Sequence, residues 1–373
     1  MDPTAFRAHF PAAASHTYAD AAAIGPLPRD AAQAAADAIR GLSERGALVF
    51  PGIFERANRA RHRAATLLGC GADDIGFTDC TSSSMSLLAR MATHEGATRQ
   101  AFVTLRDEFP STTVPWLHHG FTPRWVEPAS DGHYPVDAIV DAVTPDTRAV
   151  VVSQVQFRTG ARTDVAALAE ALAGTDTWLV VNATQAAGVV PQDVSGHTAT
   201  TVTGLKWLCS GFGTGILHLS HALRAQTPLP DQGWLSQRDF MAMRNDRLDP
   251  LPQARAVELG GVGLARLHGL DASLGLILEA GPDRLQVHTL GLTAALREGL
   301  EARGAVLITP RRNARRAGIL SALRSDAEAW HKWALDQRIV QSMRGPGTIR
   351  FALHGYNDSV DVERLLEAWD HTP

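Results

Sequence analysis

Cysteine is scarce in this chain of 373 residues: Cys70, Cys80 and Cys209 are the only three, and no CxxC pair occurs among them. A disulfide framework is therefore excluded, and the usage points to a reducing compartment. Long apolar runs are missing too, since no segment holds about 18 or more consecutive apolar residues. The first residues, MDPTAFRAHFPAAASHTYAD, lack a charged stretch followed by an uninterrupted apolar one. The expectation is a cytoplasmic protein with no membrane partner. Nor is positive charge concentrated: the formal net charge is -4 and the arginines are scattered, which leaves no basic field for nucleic acid. There is no internal repeat, and no low-complexity tract beyond Ala-rich helices.

What is present is apolar material in a regular order. At 45% hydrophobic residues the chain can bury a substantial core, and its length accommodates two domains. Between roughly residues 60 and 220, helical patterns alternate with short apolar runs: AFVTL (101–105), AVVVSQV (149–155), TWLVVNA (177–183) and GILHLS (215–220). Strands separated by helix-length segments imply an α/β fold with a mainly parallel central sheet sandwiched by helices. Such a sheet binds ligands at the carboxyl ends of its strands. The segment TDVAALAEAL (163–172) has apolar residues at helical spacing, with Thr163 or Asp164 available as the N-cap. After Pro228 the texture becomes Pro-rich, and two long amphipathic helices then lead to a short strand, AVLIT. The expected division is a large domain over 1–240, with an N-terminal arm over 1–30 that packs on the small domain. A connecting helix and a smaller C-terminal α+β domain then occupy 241–373.

The polar residues gather at the predicted strand ends. Lys206 is bracketed by apolar neighbours in TTVTGLKWLCSGFGTGILHL. Burial would lower its pKa and make an amine able to condense with an aldehyde. A structural lysine with its stem along Trp207 explains the same pattern, and spacing alone leaves the two readings equal. The run TDCTSSSMSLLARM places Thr81, Ser82, Ser83 and Ser84 where a helix begins, which suits a phosphate, although an N-cap accounts for one of these hydroxyls. Phe109, past AFVTL, can reach the same rim and stack on a planar ring; a lone aromatic is more often core. His118 and His119 are adjacent and lack the spacing of a metal pair, so no metal is expected. GFGTG (211–215) precedes a strand-like run, which rules out a dinucleotide loop.

Taken in order, these pieces resemble the class V aminotransferase family of fold type I pyridoxal 5′-phosphate (PLP) enzymes, which holds cysteine desulfurases, kynureninase and isopenicillin N epimerase-like proteins. The resemblance runs through ADAAAIGPLP (19–28), TDCTSSSMSLLA (78–89), EFPSTTVPW (108–116), VSQVQFRTGARTDVAAL (152–168), NATQAAGVVPQDV (182–194), TGLKWLCSGFGTG (203–215), VELGG (257–261) and IRFALHGYND (349–358). It implies a PLP-dependent transferase-like fold, with Lys206 as the Schiff-base lysine. Thr81, Ser82 and Thr203 would then serve the phosphate and Phe109 the stacked ring. Gln185 and Gln154 would lie at the edge of the phenolic oxygen, and position 182 at the pyridine nitrogen. Arg350 matches the arginine whose planar fork grips the substrate α-carboxylate, and Gly25 a backbone lining the substrate mouth. The resemblance also implies a homodimer.

Three residues depart from the family pattern. Asn182 stands where an aspartate usually keeps the pyridine nitrogen protonated by charge. Leu205 stands where a histidine often precedes the lysine, and Gly261 where the partner subunit often offers Thr or Asn to the phosphate. No cysteine follows Cys209, so the loop cysteine with which desulfurases collect sulfur has no counterpart. The expected function is a PLP-dependent lyase of secondary metabolism, antibiotic biosynthesis included, cleaving the Cβ–S bond of a cysteine S-conjugate by β-elimination. One alternative is decarboxylation-coupled oxidative deamination of such a conjugate, because a cofactor that is more electron-rich beside Asn182 could react with dioxygen. Others are epimerisation, transamination, or a non-catalytic PLP-binding or partner-binding role. The last is disfavoured by the joint presence of Lys206, Gln185, Phe109 and Arg350.

Overall fold

The N-terminal arm is an ordered part of the computed structural model, which describes residues 1–93, 98–261 and 263–372. Its helix Pro3–Ala8 is capped by the Asp2 carboxylate, which accepts from the Ala5 N–H. The arm then forms a two-residue strand, β1 (Thr17–Tyr18). Beyond two long helices, Arg29–Arg45 and Phe50–Leu68, the chain enters its main sheet. That sheet comprises β2 (Ile75–Thr78), β3 (Ala101–Leu105), β4 (Thr122–Val126), β5 (Thr147–Ser153), β6 (Trp178–Asn182), β7 (Ala199–Thr203) and β8 (Gly215–Leu219).

The strand order is β2-β8-β7-β6-β5-β3-β4. From β7 to β4 every pairing is parallel, whereas β8 runs antiparallel to both of its neighbours. All five residues of β3, β6, β7 and β8 are buried. Helices cover both faces, so β3 and β6 read as largely continuous apolar runs rather than alternating ones, whereas β7, ATTVT, is equally buried but carries three threonines. The mainly parallel sheet expected from those runs is the one observed. Two ends differ in detail: the run AVVVSQV stops as a strand at Ser153, and the helix after it starts at Val165 with Asp164 as its cap.

A second sheet of order β12-β13-β10-β9 contains β9 (Val306–Leu307), β10 (Ile319–Leu323), β12 (Ser342–Met343) and β13 (Thr348–Ala352), all antiparallel. The short β11 (Ile339–Val340) pairs in parallel with β1, which ties the N-terminal arm to this region. Helices Leu264–Ala280 and Pro282–Ala302 join the two sheets. The first packs on helix Phe50–Leu68, where the buried Asp271 carboxylate receives Arg56, Arg59 and Arg63 at 2.8, 2.8 and 2.7 Å. No helix among the described residues is long and apolar enough to cross a membrane.

An aromatic stack locks the arm, the C-terminal region and the turn after β7 together. Trp207 is fully buried and stacks on His354 at 5.6 Å, and His354 in turn stacks on Tyr356 at 5.1 Å and on Phe6 at 5.8 Å. The residue that precedes this anchor is Lys206.

Candidate active site

Parallel strands deliver their last residues to one rim, and here β5, β6 and β7 end on Ser153, Asn182 and Thr203. Lys206 lies three residues past Thr203, in a turn held from both sides. The indole N–H of Trp207 donates to Gln185 Oε1 at 2.7 Å, and the Gly25 amide donates to the Leu205 carbonyl at 2.8 Å. Gly25 is buried; a Cβ there would run into the Lys206 carbonyl and come within 2.8 Å of Cys209 Sγ. It therefore supports the lysine turn from beneath. Burial lowers the Lys206 ammonium to about 7, with the positive charges of Arg350 and Arg344 pushing the same way and Asp20 opposing. Its Nζ lies 5.1 Å from the centroid of the Phe109 ring.

Phe109 is 40% exposed and meets Phe157 edge-on at 5.2 Å, so one face of its ring is open to the rim. Thr81 begins helix Thr81–Ala92, whose cap residue, Cys80, makes no side-chain cap bond. The first amides of that helix lack intrahelical partners and, with the positive end of the helix dipole, suit an anion. The Thr184 hydroxyl draws this end together: it meets the Thr81 hydroxyl at 3.0 Å and accepts from the Thr203 N–H at 3.2 Å. Ser82 is exposed and donates to Ser111 at the start of the next helix, at 2.9 Å.

Asn182 is buried, its Nδ2 donating to the Thr112 hydroxyl at 2.9 Å and its Oδ1 accepting from the Thr184 N–H at 3.1 Å. Gln154 donates its amide N–H to the Asn182 carbonyl at 3.0 Å, and its side-chain Oε1 is buried with no protein partner among the described residues. Gln185 is committed at both ends, to Trp207 and, through Nε2, to the Ala22 carbonyl at 3.0 Å. Arg350, in the middle of β13, is 1% exposed and donates to Asp20, Ser342 and the Phe157 carbonyl at 3.0, 3.1 and 2.8 Å. Burial lowers it to about 10, partly offset by Asp20.

This rim has the composition of a site for a flat, phosphorylated aldehyde. It joins a deprotonatable amine, an open aromatic face, a hydroxyl-rich helix start and a buried amide oxygen that lacks a partner. A family model described as "Aminotransferase class-V" matches residues 17–365. The chain belongs to the class V aminotransferase family. As a member of it, this protein is a PLP-dependent enzyme that acts on amino acids. Similar curated proteins include a kynureninase of Burkholderia mallei, 24% identical over 99% of this chain and 91% of that protein. A kynureninase of Pseudomonas fluorescens is 25% identical over 86% and 78%. Among solved structures, the apo cysteine desulfurase of Thermococcus onnurineus NA1 superposes with a TM-score of 0.87 at 20% identity, covering 99% of this chain and 98% of that one. The cystine C-S lyase C-DES, in complex with its reaction product cysteine persulfide, gives 0.87 at 20% identity over 98% and 100%. At such identities the structures establish the fold, which is that of fold type I PLP enzymes.

Three contributors to this rim were not visible in the sequence. Thr184 has no motif of its own and earns its place by geometry. Asp20 reaches Arg350 across 330 residues of chain. Glu108 sits beside Phe109 and has no motif of its own, yet its carboxylate turns inward on to Ser153.

Proposed function

We propose that this enzyme cleaves the Cβ–S bond of a cysteine S-conjugate by β-elimination, taking up water and releasing a thiol, pyruvate and ammonia. PLP, when bound, withdraws electrons from Cα and so makes the proton there acidic. Lys206 holds the cofactor and, once the substrate amine has replaced it, removes the α-proton. An amine whose acid form loses its proton near neutral pH suits that role. Arg350 orients the α-carboxylate, and its buried guanidinium keeps that grip out of water. Phe109 covers one face of the site, while Thr81, Thr203 and the start of helix Thr81–Ala92 hold the phosphate.

The observation that carries the reading is the closeness of an amine base to a carboxylate-binding cation. Lys206 Nζ lies 5.1 Å from the Phe109 ring, that ring meets Phe157 at 5.2 Å, and the Phe157 carbonyl accepts from Arg350 at 2.8 Å, so amine and cation stand on one rim where a single α-amino acid can meet both. Sulfur collection by a protein thiol has little support. Cys209 is buried, and desolvation pushes its thiol well above the ordinary range. Burial, reinforced by Asp74, pushes Cys70 up to about 12. Cys80, half-buried, has its Sγ 3.4 Å from the Ser83 hydroxyl at the start of helix Thr81–Ala92, and on this reading sulfur leaves Cβ with the conjugate's own substituent. The same reading takes the enzyme as a cytoplasmic homodimer whose chain divides near residue 240.

Asn182 favours a second reading, in which a substrate, dioxygen and water give an aldehyde, ammonia, carbon dioxide and hydrogen peroxide. The two separate in one assay of the holoenzyme with S-alkylcysteines, following thiol, pyruvate, carbon dioxide and oxygen uptake. Equal amounts of thiol and pyruvate without oxygen uptake are expected. Carbon dioxide and peroxide formed with oxygen uptake would replace the elimination by the oxidative reaction.

A further inference from the structure

The aspartate that would sit at position 182 is replaced by an uncharged amide, but a carboxyl group lies close behind it. Glu108 precedes Phe109 and accepts from the Ser153 hydroxyl and the Ser153 amide, both at 2.5 Å. Ser153 is the strand partner of Asn182 in the β5–β6 register. Thr112, a fully buried residue whose hydroxyl oxygen accepts from Asn182 Nδ2 at 2.9 Å, also acts on the Glu108 carboxyl and holds its pKa down. Because Thr112 Oγ1 accepts from Asn182, its own O–H is left to turn toward the Glu108 carboxylate, which would run the donors in one direction from Asn182 to Glu108. With Oδ1 taken by the Thr184 N–H, the amide of Asn182 has its orientation set from both ends.

We propose that Glu108 is a positioning residue that acts through Thr112 and Asn182 on the pyridine nitrogen of PLP, supplying by relay the negative charge that position 182 no longer carries. The inference rests on the PLP reading of this site. While ionised, Glu108 holds the Thr112 proton, keeps the Asn182 amide in one orientation and raises the basicity of the ring nitrogen. Desolvation pushes its carboxyl up to about 7 despite bonds from Ser153, Thr112 and the Phe109 amide, so this charge is present at and above neutral pH and fades below it. Other titratable groups near it are Asp107, next in the chain, Glu127, past the end of β4, and Tyr134. Burial raises the Tyr134 phenol, and all three carboxylates raise it further. Glu127 is exposed and paired with Arg106 at 2.7 Å, which leaves Glu108 as the carboxylate aimed at Asn182.

The test is the protonation of the ring nitrogen in holoenzyme loaded with PLP labelled with nitrogen-15 in the ring, followed by NMR and by absorbance across pH. Glu108→Gln should lower the titration midpoint by roughly one pH unit, the strength of one hydrogen bond to a charged group passed along the relay. Thr112→Val leaves Glu108 on Ser153 but cuts the relay, and should move the midpoint the same way. In an Asn182→Asp background the charge sits at position 182 directly, so Glu108→Gln should then change little. If Glu108 only anchors its loop, Thr112→Val would leave the resonance and the spectrum as in the unaltered enzyme, and the proposal falls even where Glu108→Gln fails to fold. Failure of the PLP reading looks different: the unaltered protein would then bind no labelled cofactor at all.

Discussion

At pH 7 an ordinary lysine amine with a pKa near 10.5 is unprotonated to the extent of roughly 3 parts in 10,000, whereas one that titrates at about 7 is half free base. The environment of Lys206 thus raises the concentration of reactive amine roughly a thousandfold at neutral pH. Stripped of PLP and mixed with it again, the protein should capture the aldehyde at a rate that rises with pH up to about 7 and then levels off. Stopped-flow absorbance from pH 5.5 to 10 reads this directly. Arg350 contributes to the depression, so Arg350→Gln should shift the midpoint upward, since removing a neighbouring cation eases protonation of the amine. A linked effect has a definite sign. Between about 7 and 10.5 the unfolded chain binds a proton that folded Lys206 does not, so this group makes the cofactor-free protein more stable as pH rises through that window. A capture rate that keeps climbing tenfold per pH unit beyond pH 9 would refute the claim that burial has tuned this amine.

Further expectations concern other links of the same chain of cause. Arg350→Lys keeps the charge but loses the planar fork, so KM for the amino-acid substrate should rise roughly 10- to 100-fold with kcat less affected, as steady-state kinetics would show. Asp271→Asn leaves three arginines facing an uncharged buried amide and should cost about 3 kcal/mol in urea unfolding. Asp37→Asn, which removes an exposed pair with Arg40, should cost less than about 0.5 kcal/mol.

Strands β3, β5, β6 and β8 were legible because burial on both faces favours apolar runs that stand out against the helices between them, whereas β7, with three threonines, and the half-exposed β4 leave no such run. β8 was recognisable as a strand but not as an antiparallel one, because direction depends on the tight return through 204–214 and leaves no trace in periodicity. The neighbourhood of Lys206 and Phe109 could be read because both follow strand ends. Gln185 could be read as presented at a strand end, but not its partners: its amide is spent on Trp207 and Ala22, the latter met only when the N-terminal arm folds under the lysine turn. The same holds for Arg350, whose partner Asp20 lies in that arm, and for Glu108, whose inward turn depends on Ser153 of a strand 45 residues away. Residues that pair locally reveal themselves in sequence. Those that pair across the fold do so only once its elements are packed.

The chain contains two lysines, Lys206 in the turn after β7 and Lys332 on an exposed helix face, which makes the attachment point of the cofactor unambiguous to map. Reducing the PLP-loaded enzyme with borohydride and sequencing its peptides by mass spectrometry should place the pyridoxyl group on Lys206, with no label retained in Lys206→Ala. A label on Lys332, or one that persists unchanged after Lys206 is replaced, would contradict the assignment of the rim of this sheet as the PLP site.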